Sequence, residues 1–240
     1  METLNIISIF KNDTSAIKRT IDSVYKADKP QNLVINHFIC ASNNDESFQE
    51  LIRNHPSRNL IIASVTDEGI YNAMNKGLAR VEQGWVMFLN GGDTLYSRSS
   101  LVDISNSIKK SDSNLIQMQT QVGLKITPAA RYSWLQLFLG RRMHAHPSFI
   151  FKRESLRGLS FDESYKIVGD FKFILEAFRE SRMNFMECVV VNFEGGGISS
   201  SDLPNLIQES NRVRLELSHY RIAVTLVRLW NKKIKYFSHL

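Results

Sequence analysis

The fold of this chain is decided by TDEGIYNAMNKG, residues 66–77, and by FLNGGD, residues 88–93, which follows shortly after it. The first stretch places an acid, a turn glycine and a short helix directly behind an apolar strand. The second places an amide and a carboxylate, Asn90 and Asp93, in a glycine-rich turn after another apolar strand. In an open α/β sheet, ligands bind beyond the carboxyl ends of the strands. Carboxylate and amide oxygens suit a hard divalent cation and a ribose diol, so the two stretches predict a site for a nucleoside diphosphate and its metal.

Strand-like and helix-like segments alternate through the first half of the chain. Apolar runs predict strands over Leu4 to Phe10, Leu33 to Ala41, Leu60 to Ser64 and Trp85 to Leu89. Amphipathic segments between them predict helices over Ser15 to Lys26, Asp45 to Arg53 and Tyr71 to Val81. Parallel βαβ units produce this alternation. The predicted fold class is therefore α/β, with a Rossmann-like, mostly parallel central sheet flanked by helices.

The second half of the chain is less regular. It contains predicted helices over Leu101 to Lys110 and Asp170 to Arg182, and predicted strands over Leu115 to Met118, Phe149 to Phe151 and Met186 to Phe193. The glycine- and serine-rich residues 194–201 predict a loop. We expect one catalytic domain over residues 1–201 and a helical extension over residues 202–240.

The composition is that of an ordinary globular protein. Hydrophobic residues make up 43% of the 240 positions and charged residues 22%, which allows one sizeable core and argues against broad disorder. The net charge of +6 is compatible with nucleic acid, anionic lipid or phosphorylated substrates and does not choose among them. A nucleic-acid partner is disfavoured because the basic residues concentrate at the C-terminal end without a recognised motif.

The cysteines and the apolar runs indicate a cellular compartment. Cys40 and Cys188 lie inside apolar strand-like runs, which predicts buried, reduced thiols. Residues 1–4 lack the basic region and apolar core of a signal peptide. No apolar run reaches about 20 residues, the length that spans a bilayer. We therefore expect a cytoplasmic protein that can still associate peripherally with the inner face of the cell membrane.

Five polar residues near the predicted strand ends are candidates for chemistry. Asp93 can be a metal ligand or a turn aspartate, and Asp67 can contact a ribose or base or cap a helix. Asp170 opens a predicted helix, where a carboxylate serves as a cap or as a general base. His146 can contact a ligand or make a structural hydrogen bond. Lys76 can face a phosphate or remain solvated on its helix.

Several motifs, taken in chain order, resemble those of a known family. They are IFKN at 9–12, DEGIYNAMNKG at 67–77, FLNGGD at 88–93, HPSFIF at 146–151, FDESY at 161–165, GDF at 169–171 and GGIS at 196–199. The ordered set is similar to that of bacterial family 2 glycosyltransferases and covers about residues 4–200. Within the family, the chain most resembles the colanic-acid and exopolysaccharide, WcaE-like branch.

This resemblance implies a GT-A fold, a nucleotide-sugar donor and inversion at the anomeric carbon. It implies that Asp93 holds Mg²⁺ or Mn²⁺ against the donor diphosphate and that Asp170 is the catalytic base. It places further residues around the donor, namely Phe10, Asn12, Asp67, Asn75, Lys76, Asn90, Gly91, Gly92 and His146. The implied acceptor is a saccharide, free or linked to polyprenyl diphosphate, in the biosynthesis of a bacterial surface polysaccharide.

Some positions depart from the family pattern. Ala41 or Ser42 stands where an aspartate often contacts the base. Gly169 replaces the glutamate of an E-D pair, and Pro147 replaces a glutamine. These departures keep open an alternative, a catalytically inactive sugar-nucleotide-binding or assembly subunit. Other nucleotide enzymes are disfavoured, since residues 9–14 lack the glycine-rich, lysine-bearing loop of a nucleotidyltransferase and no G-x-G-x-x-G of a dehydrogenase follows the first strand.

The C-terminal extension is basic and interleaved with apolar and aromatic residues. Its cations are Arg212, Arg214, Arg221, Arg228, Lys232, Lys233 and Lys235. A basic amphipathic helix with an aromatic belt suits an anionic membrane surface. The alternative is a helix that packs on the catalytic domain and keeps its charges in solvent.

Overall fold

The computed structural model describes residues 1–41, 45–56, 59–64, 68–127, 131–140, 145–195 and 202–218. Its helices are α1 (Thr14–Lys26), α2 (Glu46–Asn54), α3 (Ile70–Leu78), α4 (Ser100–Lys110), α5 (Trp134–Phe138), α6 (Gly169–Glu180) and α7 (Leu203–Leu217), with 3₁₀ turns over His146–Ser148 and Arg153–Leu156. Its strands are β1 (Glu2–Phe10), β2 (Leu33–Ala41), β3 (Leu60–Ser64), β4 (Trp85–Phe88), β5 (Thr94–Leu95), β6 (Leu115–Val122), β7 (Lys125–Ile126), β8 (Phe149–Lys152) and β9 (Met183–Phe193).

In the part of the chain that is described, the strands form one nine-stranded sheet, ordered β3-β2-β1-β4-β8-β6-β9-β5 with β7 paired to β6. β1 runs parallel to β2 and β4, and β2 runs parallel to β3. This half confirms the predicted βαβ alternation, and β2 and β3 have the predicted bounds. The carboxyl ends of β1 and β4 therefore lie side by side, which is where ligands of such sheets bind.

Beyond β4 the sheet is mixed. β8 runs antiparallel to β4 and to β6, β5 runs antiparallel to β9, and β9 runs parallel to β6 with an irregular register. The sequence did not indicate β5 and β7, because strands of two residues carry no periodicity. α3 ends at Leu78 and α6 at Glu180, a few residues before the predicted ends. Helix ends are the boundaries that local patterns specify least.

The sheet is covered on both faces. In β1, Leu4 and Ile6 pack in a cluster that includes residues of α4. Ile7 points to the opposite face, in a cluster with Phe88 of β4 and Phe173 of α6. Neighbouring side chains of a strand point to opposite faces, so a strand that is apolar throughout must be buried on both. This explains why the strands read as continuous apolar runs.

The two cysteines are free thiols, as predicted. Cys40 is buried in β2, and Cys188 is half-buried in β9. Burial raises the pKa of the Cys40 thiol to about 11. The thiol therefore stays protonated at neutral pH, and a protonated thiol is a poor nucleophile.

The described part of residues 202–240 packs on the rest of the fold. Val213 and Leu217 of α7 belong to the same core cluster as Ile7. Arg214 donates from Nε to the Phe138 carbonyl oxygen at 2.9 Å. Within the described ranges, no helix has the length and apolarity needed to cross a membrane. The prediction of a membrane-binding face rests mainly on residues 219–240, which lie outside the described residues.

Candidate active site

The turn that follows β4 is shaped by two glycines. Leu89 and Gly91 donate their N–H groups to β1 at 2.9 Å each, so the chain continues beside β1 after β4 has ended. A Cβ at Gly91 would lie 3.0 Å from Phe10 Cβ, closer than most Cβ contacts. Gly92 has φ +103°, and a Cβ there would overlap the Glu194 carboxylate. Both positions therefore favour glycine, one for close approach and one for backbone conformation.

Thr20 of α1 holds the backbone of this turn by hydrogen bonds. Its fully buried Oγ1 donates to the Asp93 carbonyl oxygen at 2.7 Å and accepts the Gly92 N–H at 3.0 Å. The Asp93 N–H closes the turn on the Asn90 carbonyl oxygen at 3.0 Å. The sequence reasoning missed Thr20. Its signal was a polar residue on the apolar stripe of α1, three residues after Ile17.

Asp93 is a buried carboxylate, only 4% exposed. Its Oδ1 accepts the backbone N–H of Glu194 at 3.0 Å. Burial raises the pKa of the Asp93 carboxyl to about 6; the neighbouring Glu194 charge adds to this, whereas His146 and backbone N–H groups oppose it. A carboxylate held with so little solvation gains when a cation is bound beside it.

Asn90 supplies a second oxygen at this turn. Its Oδ1 is buried and has no hydrogen-bond partner among the described residues. The described ranges contain no group of three His, Cys, Asp or Glu side chains that would form an all-protein metal cage. Mg²⁺ normally shares one or two protein carboxylates with waters and substrate phosphates. One buried carboxylate and one unpaired amide oxygen therefore fit a Mg²⁺ or Mn²⁺ ion that a bound diphosphate would share.

His146 connects this turn to Asp170. Its Nδ1 lies 3.4 Å from Asp170 Oδ2, and its Nε2 lies 3.3 Å from Asn90 Nδ2. If Asn90 Nδ2 donates to Nε2, the imidazole proton is on Nδ1 and faces the Asp170 carboxylate. The histidine ring is mostly buried, at 13% side-chain exposure, while the Asp170 side chain is 30% exposed. Asp93, Asn90, His146 and Asp170 thus form one continuous group.

Asp170 lies in the first turn of α6, and Tyr71 fixes the start of that helix. The Tyr71 hydroxyl accepts the Gly169 N–H at 2.8 Å. A Cβ at position 169 would lie 2.7 Å from the Tyr71 ring. This contact gives a physical reason for the departure noted above, because the ring fills the space that a glutamate at position 169 would need. Burial, followed by the Asp170 charge, raises the pKa of the Tyr71 hydroxyl, so it stays protonated.

The remaining residues predicted around the donor are spread over several environments. Phe10 is buried against Phe48, with ring centroids 4.6 Å apart. Asn12 is exposed and has φ 59°, the left-handed region that asparagine tolerates. Lys76 Nζ lies 3.7 Å from Glu68 Oε1. Asp67 lies outside the described residues. The donor contacts of these side chains stay predictions.

Asn75 takes part in a link that the sequence did not reveal. Its amide accepts the Phe161 N–H at 2.8 Å and donates to the Phe161 carbonyl oxygen at 2.9 Å. Glu163 accepts from Asn75 at 2.8 Å and from Asn72 at 2.9 Å. α3 therefore holds the segment that leads to Asp170. A donor contact by Asn75 stays a prediction, and its amide already has these structural partners.

Arg19 and Glu194 form a further pair beside the turn. Arg19 Nη2 donates to Glu194 Oε1 at 2.5 Å, with both side chains about half exposed. Neither residue was predicted. The contact joins residues 175 positions apart, and no local pattern encodes such a separation.

No family model matches this chain. Comparison with individual proteins gives named relatives. A Mycobacterium bovis protein named "PGL/p-HBAD biosynthesis glycosyltransferase" is 29% identical over 189 residues, which cover 73% of this chain and 70% of that protein.

Two solved structures share the architecture. TarS of S. aureus in complex with UDP-GlcNAc superposes with a TM-score of 0.71 at 16% identity, covering 92% of this chain and 68% of that one. The mannosyltransferase PcManGT of Pyrobaculum calidifontis in complex with GDP-Man and Mn²⁺ gives a TM-score of 0.68 at 13% identity, covering 94% of this chain and 68% of that one. The fold is therefore GT-A-like, as the motifs implied.

Proposed function

We propose that this chain is a metal-dependent, inverting glycosyltransferase that moves a sugar from a nucleoside-diphosphate sugar to a hydroxyl of a saccharide acceptor. The observation that carries the proposal is the continuous group of Asp93, Asn90, His146 and Asp170 at the carboxyl end of β4. It sets a buried, metal-suited carboxylate and a more exposed carboxylate at opposite ends of one polar cluster. The name of the mycobacterial relative supports the same class of reaction.

The donor diphosphate belongs at the turn after β4. Asp93 and Asn90 would hold a Mg²⁺ or Mn²⁺ ion there, and the ion would neutralise charge on the leaving diphosphate. Thr20 and the two glycines keep the turn in one conformation. The unsolvated Asp93 carboxylate therefore does not need to reorganise when the donor binds.

Asp170 is the proposed base. Its carboxylate would take the proton of the acceptor hydroxyl as the new bond forms to the anomeric carbon and the bond to the diphosphate oxygen breaks. Attack from the face opposite the leaving group inverts the anomeric centre. The His146 imidazole, 3.4 Å from Asp170 Oδ2, would orient the carboxylate. General-base catalysis of this kind contributes about 10²–10⁴-fold in rate.

The acceptor and the location of the reaction belong to the same proposal. A polyprenyl-diphosphate-linked saccharide in surface polysaccharide synthesis, as in the WcaE-like branch, would present its reactive hydroxyl near a membrane. In α7, Arg212 and Arg214 are engaged within the protein, so an anionic surface would have to bind the cations beyond residue 218. Co-sedimentation with vesicles containing phosphatidylglycerol tests this, and undiminished binding by a chain ending at Ser218 would refute the anchor.

A donor panel tests the proposed function. Purified protein is incubated with UDP-glucose, UDP-galactose, UDP-GlcNAc or GDP-mannose and Mn²⁺, with water as the acceptor, and the released nucleoside diphosphate is measured. We expect slow release from at least one donor, abolished by EDTA. Inversion is read by NMR from the glycoside formed when a saccharide acceptor replaces water, because a free reducing sugar would mutarotate. Thermal stabilisation by a donor with no release from any of them would favour the inactive binding subunit instead.

A further inference from the structure

Glu209 of α7 holds the backbone that leads into Asp170. Its carboxylate accepts three main-chain N–H groups, from Lys166 and Ile167 at 2.9 Å and from Val168 at 3.1 Å. These donors lie more than 40 positions away along the chain. Hydrogen bonds to a charged acceptor are about twice as strong as neutral ones. A single side chain therefore fixes three consecutive backbone amides of this segment.

The segment depends on hydrogen bonds from side chains because it has no regular secondary structure of its own. Residues 157–168 form neither helix nor strand, so their N–H groups have no regular ladder to join. Immediately after Val168, α6 begins at Gly169 and carries Asp170 in its first turn. The position of the Asp170 carboxylate thus follows from the position of the preceding backbone.

Further contacts of α7 support the same segment. Arg212 donates to Ser164 Oγ at 2.8 Å and stacks over the Tyr165 ring, 4.2 Å from its centroid. Glu216 accepts from Lys172 of α6 at 2.7 Å. α3 bonds to the same stretch through Glu163 and through the Tyr71 hydroxyl, as described above. Two helices, α3 and α7, therefore bond to this segment.

We propose that Glu209 is a positioning residue that sets the Asp170 carboxylate for proton transfer. The inference rests on the proposed function, because it assigns Asp170 the role of base. A displacement of about 1 Å in a reacting group can lower a rate by about 10²-fold. Loss of the three hydrogen bonds would therefore slow turnover and leave the binding of the donor, which occurs at the Asp93 turn, unchanged.

Kinetics of Glu209→Ala and Glu209→Gln test the proposal. The readout is release of nucleoside diphosphate from whichever donor of the panel the wild-type protein turns over. We expect Glu209→Ala to lower kcat about 10- to 100-fold with KM for the donor within about twofold. Glu209→Gln keeps one acceptor oxygen and should fall between. Gln208→Ala, at an exposed neighbouring position, and Glu187→Gln, an exposed charge-matched change, should keep the wild-type kcat.

A double variant separates positioning from general loss of structure. If Glu209 acts through Asp170, adding Glu209→Ala to Asp170→Asn should lower the residual rate no further, since the group it positions is already gone. A second decrease as large as the first would overturn the proposal. So would a Glu209→Gln variant with the wild-type kcat.

Hydrogen exchange tests the three hydrogen bonds to Glu209 directly, without an activity assay. The amides of residues 166–168 should exchange faster in Glu209→Gln than in the wild-type protein, while those of β1 keep their rates. Unchanged exchange at 166–168 would overturn the inference whatever the activity. A wild-type protein that turns over none of the donors would instead overturn the proposed function, so the two failures are distinguishable.

Discussion

Tyr71 occupies the space into which a side chain at position 169 would project. Its ring is 5% exposed, and its hydroxyl accepts the Gly169 N–H. Within the family motif, Gly169 is only a missing glutamate. In the structure, the Tyr71 ring occupies the space beside position 169, and its hydroxyl binds the backbone N–H there, so glycine is suitable at this position. A residue at a motif position is thus understood only together with its neighbour in space.

Gly169→Ala should destabilise the protein by about 1–3 kcal/mol, because the added methyl group meets a buried ring that cannot move aside. Urea unfolding followed by circular dichroism measures the change in the free energy of unfolding. In a Tyr71→Ala background the same substitution should add less than half of that cost, since the ring is absent. A Gly169→Ala protein as stable as the wild type would show that the ring yields freely.

Asp93, Asn90, His146 and Asp170 were each singled out from the sequence, and the structure brings them together. Asn90 and Asp93 follow a predicted strand, His146 precedes one and Asp170 opens a predicted helix, and the family resemblance, not these places alone, suggested their roles. Thr20, Glu194 and Glu209 were not predicted. Each acts through a contact with a residue more than 40 positions away, and such contacts leave little trace in local sequence patterns.

At the scale of elements, the arrangement of the parallel half of the sheet was predictable, whereas in the mixed half β6, β8 and β9 were predicted as strands but their pairing was not. β1 to β4 are apolar runs separated by amphipathic helices, and that pattern has one simple arrangement. β5 and β7 have two residues each, and β8 has four. Their pairing is set by the longer strands beside them, since a short strand gains its stability from its neighbours.

The pair of β1 and β2 contains a buried histidine with a consequence for stability. His37 is 2% exposed, and its Nε2 lies 2.8 Å from Ser8 Oγ, which in turn donates to the Leu89 carbonyl oxygen at 2.5 Å. Because the serine proton is used in that way, Nε2 carries the imidazole proton. Burial, with smaller contributions from His55 and Lys29, lowers the pKa of His37 to about 3.

This shift predicts a loss of stability on mild acidification. The unfolded chain binds a proton at His37 below pH about 6.5 and the folded chain does not, so stability falls from there towards pH 3. Between pH 7.5 and 5.0 the loss attributable to His37 is about 2 kcal/mol. Urea unfolding of His37→Gln should show a decrease between those pH values that is smaller than the wild-type decrease by this amount. Equal decreases in the two proteins would contradict the assignment.

At the scale of the whole molecule, two halves of the chain meet at the site. The parallel half supplies the turn with Asn90 and Asp93, and the mixed half supplies His146 and Asp170. The segment before α6 is held by α3 from the first half and by α7 from the end of the chain. Integrity of the site therefore depends on the packing of the C-terminal helix, which the sequence indicated as a basic helical extension, with packing on the domain and membrane binding as alternatives.

The proposed roles of Asp93 in metal binding and of Asp170 as the base are tested most directly by comparing Asp93→Asn with Asp170→Asn. Mn²⁺-dependent binding of the nucleoside diphosphate is measured by thermal shift, and donor turnover is measured on the same samples, with Asp28→Asn as an exposed control. Asp93→Asn should lose the metal-dependent stabilisation. Asp170→Asn should keep it and lose at least about 10²-fold in turnover. Wild-type turnover in Asp170→Asn, or unchanged metal dependence in Asp93→Asn, would contradict the proposed glycosyl transfer at this site.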